Sequence, residues 1–242
     1  MKLNTTFILL LITNFVFAQT TTPNQPKKDE IKYLEDHKKL RIGIRGGMAF
    51  LTANNTGESN ADLQGLRDKM STGIQFGADI HYFTSEFVGW GLKYSSFGTS
   101  GSTTVSVASN NGSGVITEQD YAENLVARFY GPSFTTRILS GNAKNVYTLG
   151  FAMGYMDYTN SLNFFGQSFE ARSNALGLSW TAGWDWMFSK NFAASLSLTY
   201  TMAALKTFDV EGANSQQLTS INETLLSDIS RLEISLGISF YR

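Results

Sequence analysis

The chain has no cysteine among its 242 residues, which excludes disulfides, thiolate metal sites and a lipid-modified cysteine behind a leader. Charge is scarce, at 16% of residues, and the formal net charge is −1, so there is no basic footprint for nucleic acid. Only two histidines occur, His37 and His81, which leaves little material for a metal site or a general base. Runs of apolar residues are short as well. A membrane-spanning helix needs about 20 in a row, and the stretch from Phe7 to Phe17 is interrupted by Thr13 and Asn14. Residence in a membrane would therefore have to use strands.

Glycine (22 residues) and aromatic rings (13%) are plentiful instead. The start of the chain divides on composition. Lys2, the apolar stretch, and the small residues Val16 and Ala18 before Gln19 predict a cleaved signal peptide over 1–18. Residues 19–39 open on Thr, Pro, Asn and Gln and continue charged, which predicts a solvated periplasmic tether. Residues 40–242 form the remaining unit.

Within that unit eight segments alternate apolar and polar residues, the mark of extended chain with two unlike faces. The first sets Leu40, Ile42, Ile44, Met48 and Phe50 against Arg41, Gly43, Arg45 and Gly47. The sixth sets Leu176, Leu178, Trp180, Trp184 and Trp186 against Gly177, Ser179, Thr181 and Asp185. The last sets Leu232, Ile234, Leu236, Ile238 and Phe240 against Arg231, Glu233, Ser235 and Ser239. The fourth is irregular. Its parity puts Leu125, Ala127 and Phe129 outward and Arg128 inward, with a bulge expected at Gly131–Pro132, after which Phe134 and Ile138 face outward. Short turns at 84–86, 140–145 and 189–191 alternate with long polar connections at 51–70, 98–118, 159–172 and 205–227. Thr103, Val105 and Val107 could carry the third hairpin beyond the membrane.

An even strand number with short turns at one end and long loops at the other predicts an all-β fold, an eight-stranded antiparallel up-and-down transmembrane β-barrel. The expected address is the bacterial outer membrane, with both termini periplasmic and outer-membrane lipid and lipopolysaccharide as neighbours. The alternative is a soluble lipocalin-like barrel, whose apolar face lines a ligand cavity. The polar faces here are mostly Gly, Ser, Thr and Ala, too poorly charged for a soluble exterior but suited to a narrow interior. Rings also gather near segment ends: Tyr82, Trp90, Trp184, Trp186, Phe188, Phe192 and Phe240 toward the turns, Phe50, Tyr94, Tyr155, Tyr158 and Tyr200 toward the loops. Two such belts are expected at the two membrane interfaces.

The leader ending Ala18–Gln19, the first segment RIGIRGGMAF and the last, LEISLGISFYR, resemble the small outer-membrane barrels of Bacteroidetes-type bacteria, similar in architecture to OmpX and the membrane domain of OmpA. The resemblance covers Leu40 to Arg242 and implies fold and location, without functional residues. Many such barrels end on the aromatic residue itself, whereas here Tyr241 and Arg242 follow Phe240.

The inward charges Arg41, Arg45, Asp79, Lys93, Arg128, Asp185, Arg231 and Glu233, with His81, are expected to form an ionic network in the lumen, because buried charge is costly unless paired. A structural plug is favoured over a gate, since eight strands leave little lumen. Asp79 and His81 suggest a catalytic dyad, and some small outer-membrane barrels modify lipid A. His81, however, falls near the turn end, far from lipid A headgroups, so no catalytic residue is assigned. No metal or cofactor is expected. Phe164, Phe165 and Phe169, three rings in a supposedly wet loop, are candidates for contact with a protein partner or surface ligand. The role expected is non-enzymatic: envelope integrity, surface interaction, or membership of an envelope complex.

Overall fold

Alternation with period two yields two faces of unlike polarity only in extended chain, and all eight segments are strands. The computed structural model describes residues 38–52, 61–108, 116–140, 144–164, 166–205, 207–211, 216–219 and 227–242. The expected signal peptide and nearly all of the tether lie outside these residues. Eight strands close into a ring in the order β1 (Leu40–Leu51), β2 (Thr72–Phe83), β3 (Val88–Ala108), β4 (Ile116–Leu139), β5 (Asn145–Phe164), β6 (Gln167–Met187), β7 (Phe192–Leu205) and β11 (Arg231–Tyr241). Neighbours are antiparallel, and β11 returns to β1 with Arg41 opposite Tyr241 and Leu51 opposite Arg231. The chain enters and leaves at the turn end, where the Leu40 amide donates to the Arg242 carbonyl at 2.8 Å and the reverse bond is 2.9 Å.

The loop end departs from expectation. Residues 98–108, 116–118, 159–164 and 167–172, expected in loops, are strand, because β3 to β6 run for 21, 24, 20 and 21 residues while β1, β2, β7 and β11 have 12, 12, 14 and 11. The β5–β6 turn narrows around Gly166, whose φ of 68° is the left-handed region glycine favours. At roughly 3.3 Å per residue, the surplus lifts one side of the wall by about 20–30 Å along the strands. Three further short strands, β8 (Thr207–Glu211), β9 (Gln216–Thr219) and β10 (Ser227–Asp228), flank that end. Among the described residues one helix, α1 (Ala61–Met70), lies between β1 and β2.

Polarity is inverted relative to a soluble barrel. Ile74, Leu176 and Leu236 are 76%, 68% and 67% exposed on the outside, while Arg231, Glu233 and Asp185 are at most 1% exposed within. A lipocalin-like arrangement, with the apolar faces around a cavity, is thereby overturned. A continuous belt of rings and branched aliphatics is compatible with hydrocarbon and not with water.

β4 corrects the parity assigned to it. Its register to β3 is unbroken from Val88 opposite Thr136 to Ala108 opposite Ile116, so there is no bulge. The ladder to β5 skips Gly131 and Pro132 and resumes in the same register. Proline lacks the donor, and Gly131 lets the strands close in: a Cβ there would lie 2.5 Å from Gly154 Cα. One parity therefore holds throughout. Leu125, Ala127 and Phe129 face inward and are buried, and Arg128 faces outward. Tyr158, expected in the loop-side belt, is likewise interior at 5% exposure.

Candidate functional site: a lumen in three layers beneath a raised wall

Eight strands leave room inside for side chains only, and these sort into three layers. At the turn end the Arg137 guanidinium stacks on Phe83, 3.8 Å from the ring centroid, and donates to the carbonyls of Glu86 (2.7 Å) and Lys38 (2.8 Å). Val146, Ala193 and the ring of Tyr241 pack together at the same end.

The ionic layer follows. Arg41 on β1 bridges two carboxylates, Asp79 on β2 and Asp185 on β6, the latter through Nε at 2.9 Å. Arg45, one inward position along, pairs with the other oxygen of Asp79. Tyr241 donates its hydroxyl to Asp185 and accepts from Arg41 at 3.2 Å. Lys93 on β3 reaches across to the hydroxyls of Ser179 (2.8 Å) and Thr181 (2.6 Å) on β6. Higher still, Arg231 Nε donates to Glu233 at 2.7 Å, and Ser95 joins both partners at 3.1 Å each. Ser235 donates to Gln75 at 2.7 Å. Nearly every buried charge therefore meets a charge or hydroxyl of a different strand.

Arg128 takes no part. It lies on the outer face at the loop-side edge of the belt and pairs with Asp157 at 3.2 Å, both side chains more than a third exposed. An inward position in β4 would have required the bulge that does not form.

His81 sits between Asp79, 3.1 Å from Nδ1, and Ser133, 2.9 Å from Nε2. Serine, histidine and carboxylate in that order make up a nucleophile–base–orienter relay. The adjoining cavity is about 20 Å3, room for roughly one water and no acyl chain. Asp79 is moreover held by two guanidinium groups and is not free to follow the imidazole. The three side chains are hydrogen-bonded to one another within the lumen. Among the described residues no three His, Asp or Glu side chains converge as metal ligands.

The third layer is apolar. Leu66 and Met70 of α1 turn into the loop-end mouth against Phe97, Leu125, Ala127, Phe129, Met156 and Tyr158. Gly101 of β3 makes room, since a Cβ there would lie 2.5 Å from Leu66 Cδ1. Sequence reasoning missed this plug. Its signal is weak, a single ten-residue segment of low amphipathicity within a polar connection. Tyr241 was also missed as a lumen residue, although its parity with Arg231 and Glu233 places it inward.

Of the three loop rings, Phe164 packs edge-on against Tyr121 with centroids 5.8 Å apart, Phe169 is half-buried opposite Leu162, and Phe165 lies outside the described residues. The outward face of the raised wall is polar instead. Ser100, Ser102, Asn124, Asn163 and Glu170 line a shallow concavity there of about 890 Å3.

No protein-family profile matches the chain, and no curated protein does. Solved structures do. A major outer membrane protein of Thermus thermophilus superposes with a TM-score of 0.53 at 10% identity, covering 84% of this chain and 99% of that one. The outer membrane protease OmpT of Escherichia coli gives 0.50 at 8% identity, covering 92% and 99%. Neisserial surface protein A gives 0.48 at 10% identity, covering 86% and 100%. The chain thus has the fold of the outer-membrane β-barrels. It is a small barrel of the OmpX and OmpA-domain architecture, with eight strands in the ring.

Proposed function

We propose that the protein is a non-enzymatic outer-membrane barrel, closed to ions and solutes, that presents the raised β3–β6 wall at the cell surface. The turn end, with both ends of the described chain, faces the periplasm, and α1 and the raised wall face outward. The carrying observation is the change in the outer face of β3 to β6. Below Tyr130, Tyr155 and Leu176 it is ring-rich and apolar; above them it is Ser, Asn, Thr and carboxylate. A wall of that chemistry standing above hydrocarbon suits the sugar layer of lipopolysaccharide or a surface partner, in the service of envelope integrity or a larger envelope complex. The lumen network acts as a structural plug.

The test is affinity purification from native membranes, comparing the full chain with one whose β3–β4 and β5–β6 hairpins are cut back to the belt. Lipopolysaccharide or protein partners retained by the first and lost by the second, with both barrels folded by heat-modifiable migration, are expected. Equal recovery from both would count against the wall. Stepwise current in planar bilayers would count against the plug.

A further inference from the structure

The two ends of the barrel carry opposite charge. At the turn end Lys38, Lys39, Arg137, Lys144, Lys190 and Arg242 face a single carboxylate, Glu86, among the described residues. At the other end Glu118, Asp120, Asp157 and Glu170 on the raised wall and Asp209 and Glu211 on β8 outnumber Arg128 and Arg172, with Arg67 and Lys69 beside Asp68 on α1. Not all the turn-end cations are available. Arg137 is committed to two carbonyls and the Phe83 ring. Lys38 lies over the Tyr241 ring at 5.7 Å, and burial together with Arg137 holds its ammonium below the usual lysine range.

Lys39, Lys190 and Arg242 differ. All three are exposed and make no ion pair among the described residues. The backbone brings them to one stretch of rim. Arg242 is bonded in both directions to Leu40, the residue after Lys39, and the Tyr241 amide donates at 2.7 Å to the carbonyl of Asn191, the residue after Lys190. Directly beside them on the outer face runs a row of rings, Phe188, Phe192 and Phe240, with successive centroids 6.5 and 5.2 Å apart. Rings mark the level where hydrocarbon gives way to headgroups, and long cationic side chains at that level extend into the headgroup layer.

We propose that Lys39, Lys190 and Arg242 form a binding rim for the phosphates of anionic phospholipids in the leaflet at the turn end. This rests on the membrane reading above. Phosphate is the chemistry favoured because the rim is contiguous with the lipid belt and carries three exposed cationic side chains with no side-chain ion pair among the described residues. A neutral headgroup would leave them unmatched.

The test uses the full chain in vesicles containing bromine-labelled phosphatidylglycerol or bromine-labelled phosphatidylcholine, read by quenching of the exposed Trp90, Trp184 and Trp186. A cation near a charged surface favours anionic lipid by about fivefold, so three should give a preference of tenfold or more, on the order of unity once salt reaches about 0.5 M. The K39Q/K190Q/R242Q variant should lose it, while E118Q/D120Q at the opposite end should keep it. Equal quenching by the two lipids in the unaltered protein overturns the inference, as does a preference undiminished in the triple variant. Equal quenching together with retention on insoluble peptidoglycan would assign the rim to that anionic polymer instead. Failure to enter vesicles at all would sink the membrane reading, and this inference with it.

Discussion

The hydroxyl of Tyr241, at the end of β11, donates to Asp185 on β6, and the same carboxylate accepts from Arg41 on β1. Three strands, two of them the pair that closes the ring, are thus tied at one carboxylate. Tyr241→Phe removes the donor and leaves the ring in place. A loss of about 1–3 kcal/mol is expected for one buried hydrogen bond to a charged group, read as a lower urea midpoint in lipid vesicles. An unchanged midpoint would show that the tie contributes nothing.

Asp79 is the shared partner of Arg41 and Arg45. Asp79→Asn strands Arg45 as a buried charge without a carboxylate, and breaking a buried pair in this way costs about 3–5 kcal/mol. Adding Arg45→Met should recover much of that loss, because the stranded charge then goes as well. A double variant no more stable than the single one would refute this account of the layer.

Arg128 supplies the contrast. Its partner Asp157 is exposed, and exposed pairs are worth about 0–1 kcal/mol. Arg128→Ala should shift the urea midpoint barely at all, whereas Arg45→Ala should lower it clearly. Similar losses in both would return Arg128 to the interior and restore the bulge.

Gly101 lies under Leu66, and a larger side chain there meets the helix first. Gly101→Leu should lift α1 from the mouth, seen as faster amide exchange over residues 61–70 with the strands still protected. Conductance should stay absent, because the ionic layer below is intact. Stepwise channels in this variant would identify α1 as the seal.

Strand parity is legible in the sequence only where the two faces meet unlike surroundings. For β1, β6 and β11 the alternation is clean because one face meets lipid and the other meets Gly, Ser and paired charge, so parity alone places Arg41, Asp185 and Glu233 inside. In β4 both faces are apolar: Val126 and Tyr130 face out, Leu125, Ala127 and Phe129 face in. The inward ones meet Leu66 and Met70 of a helix more than fifty residues earlier. Period two cannot tell a side chain facing hydrocarbon from one facing an apolar plug, so the sequence reading invokes a bulge to rescue an inverted parity. The raised wall escapes for a related reason. Above the belt the outer face of β3 to β6 turns polar while the inner face mixes Thr99, Glu123 and Asn160 with Phe97, Leu125 and Tyr158, so the alternation of the belt is lost and the composition resembles a loop.

What the chain alone determined is the ring of eight strands, the turn and loop ends, and which residues alternate, since these follow from local periodicity and turn chemistry. Tertiary structure decided which face of β4 is inside, how far the wall rises, and what closes the mouth. Those depend on contacts between segments distant in sequence, and no local pattern encodes them.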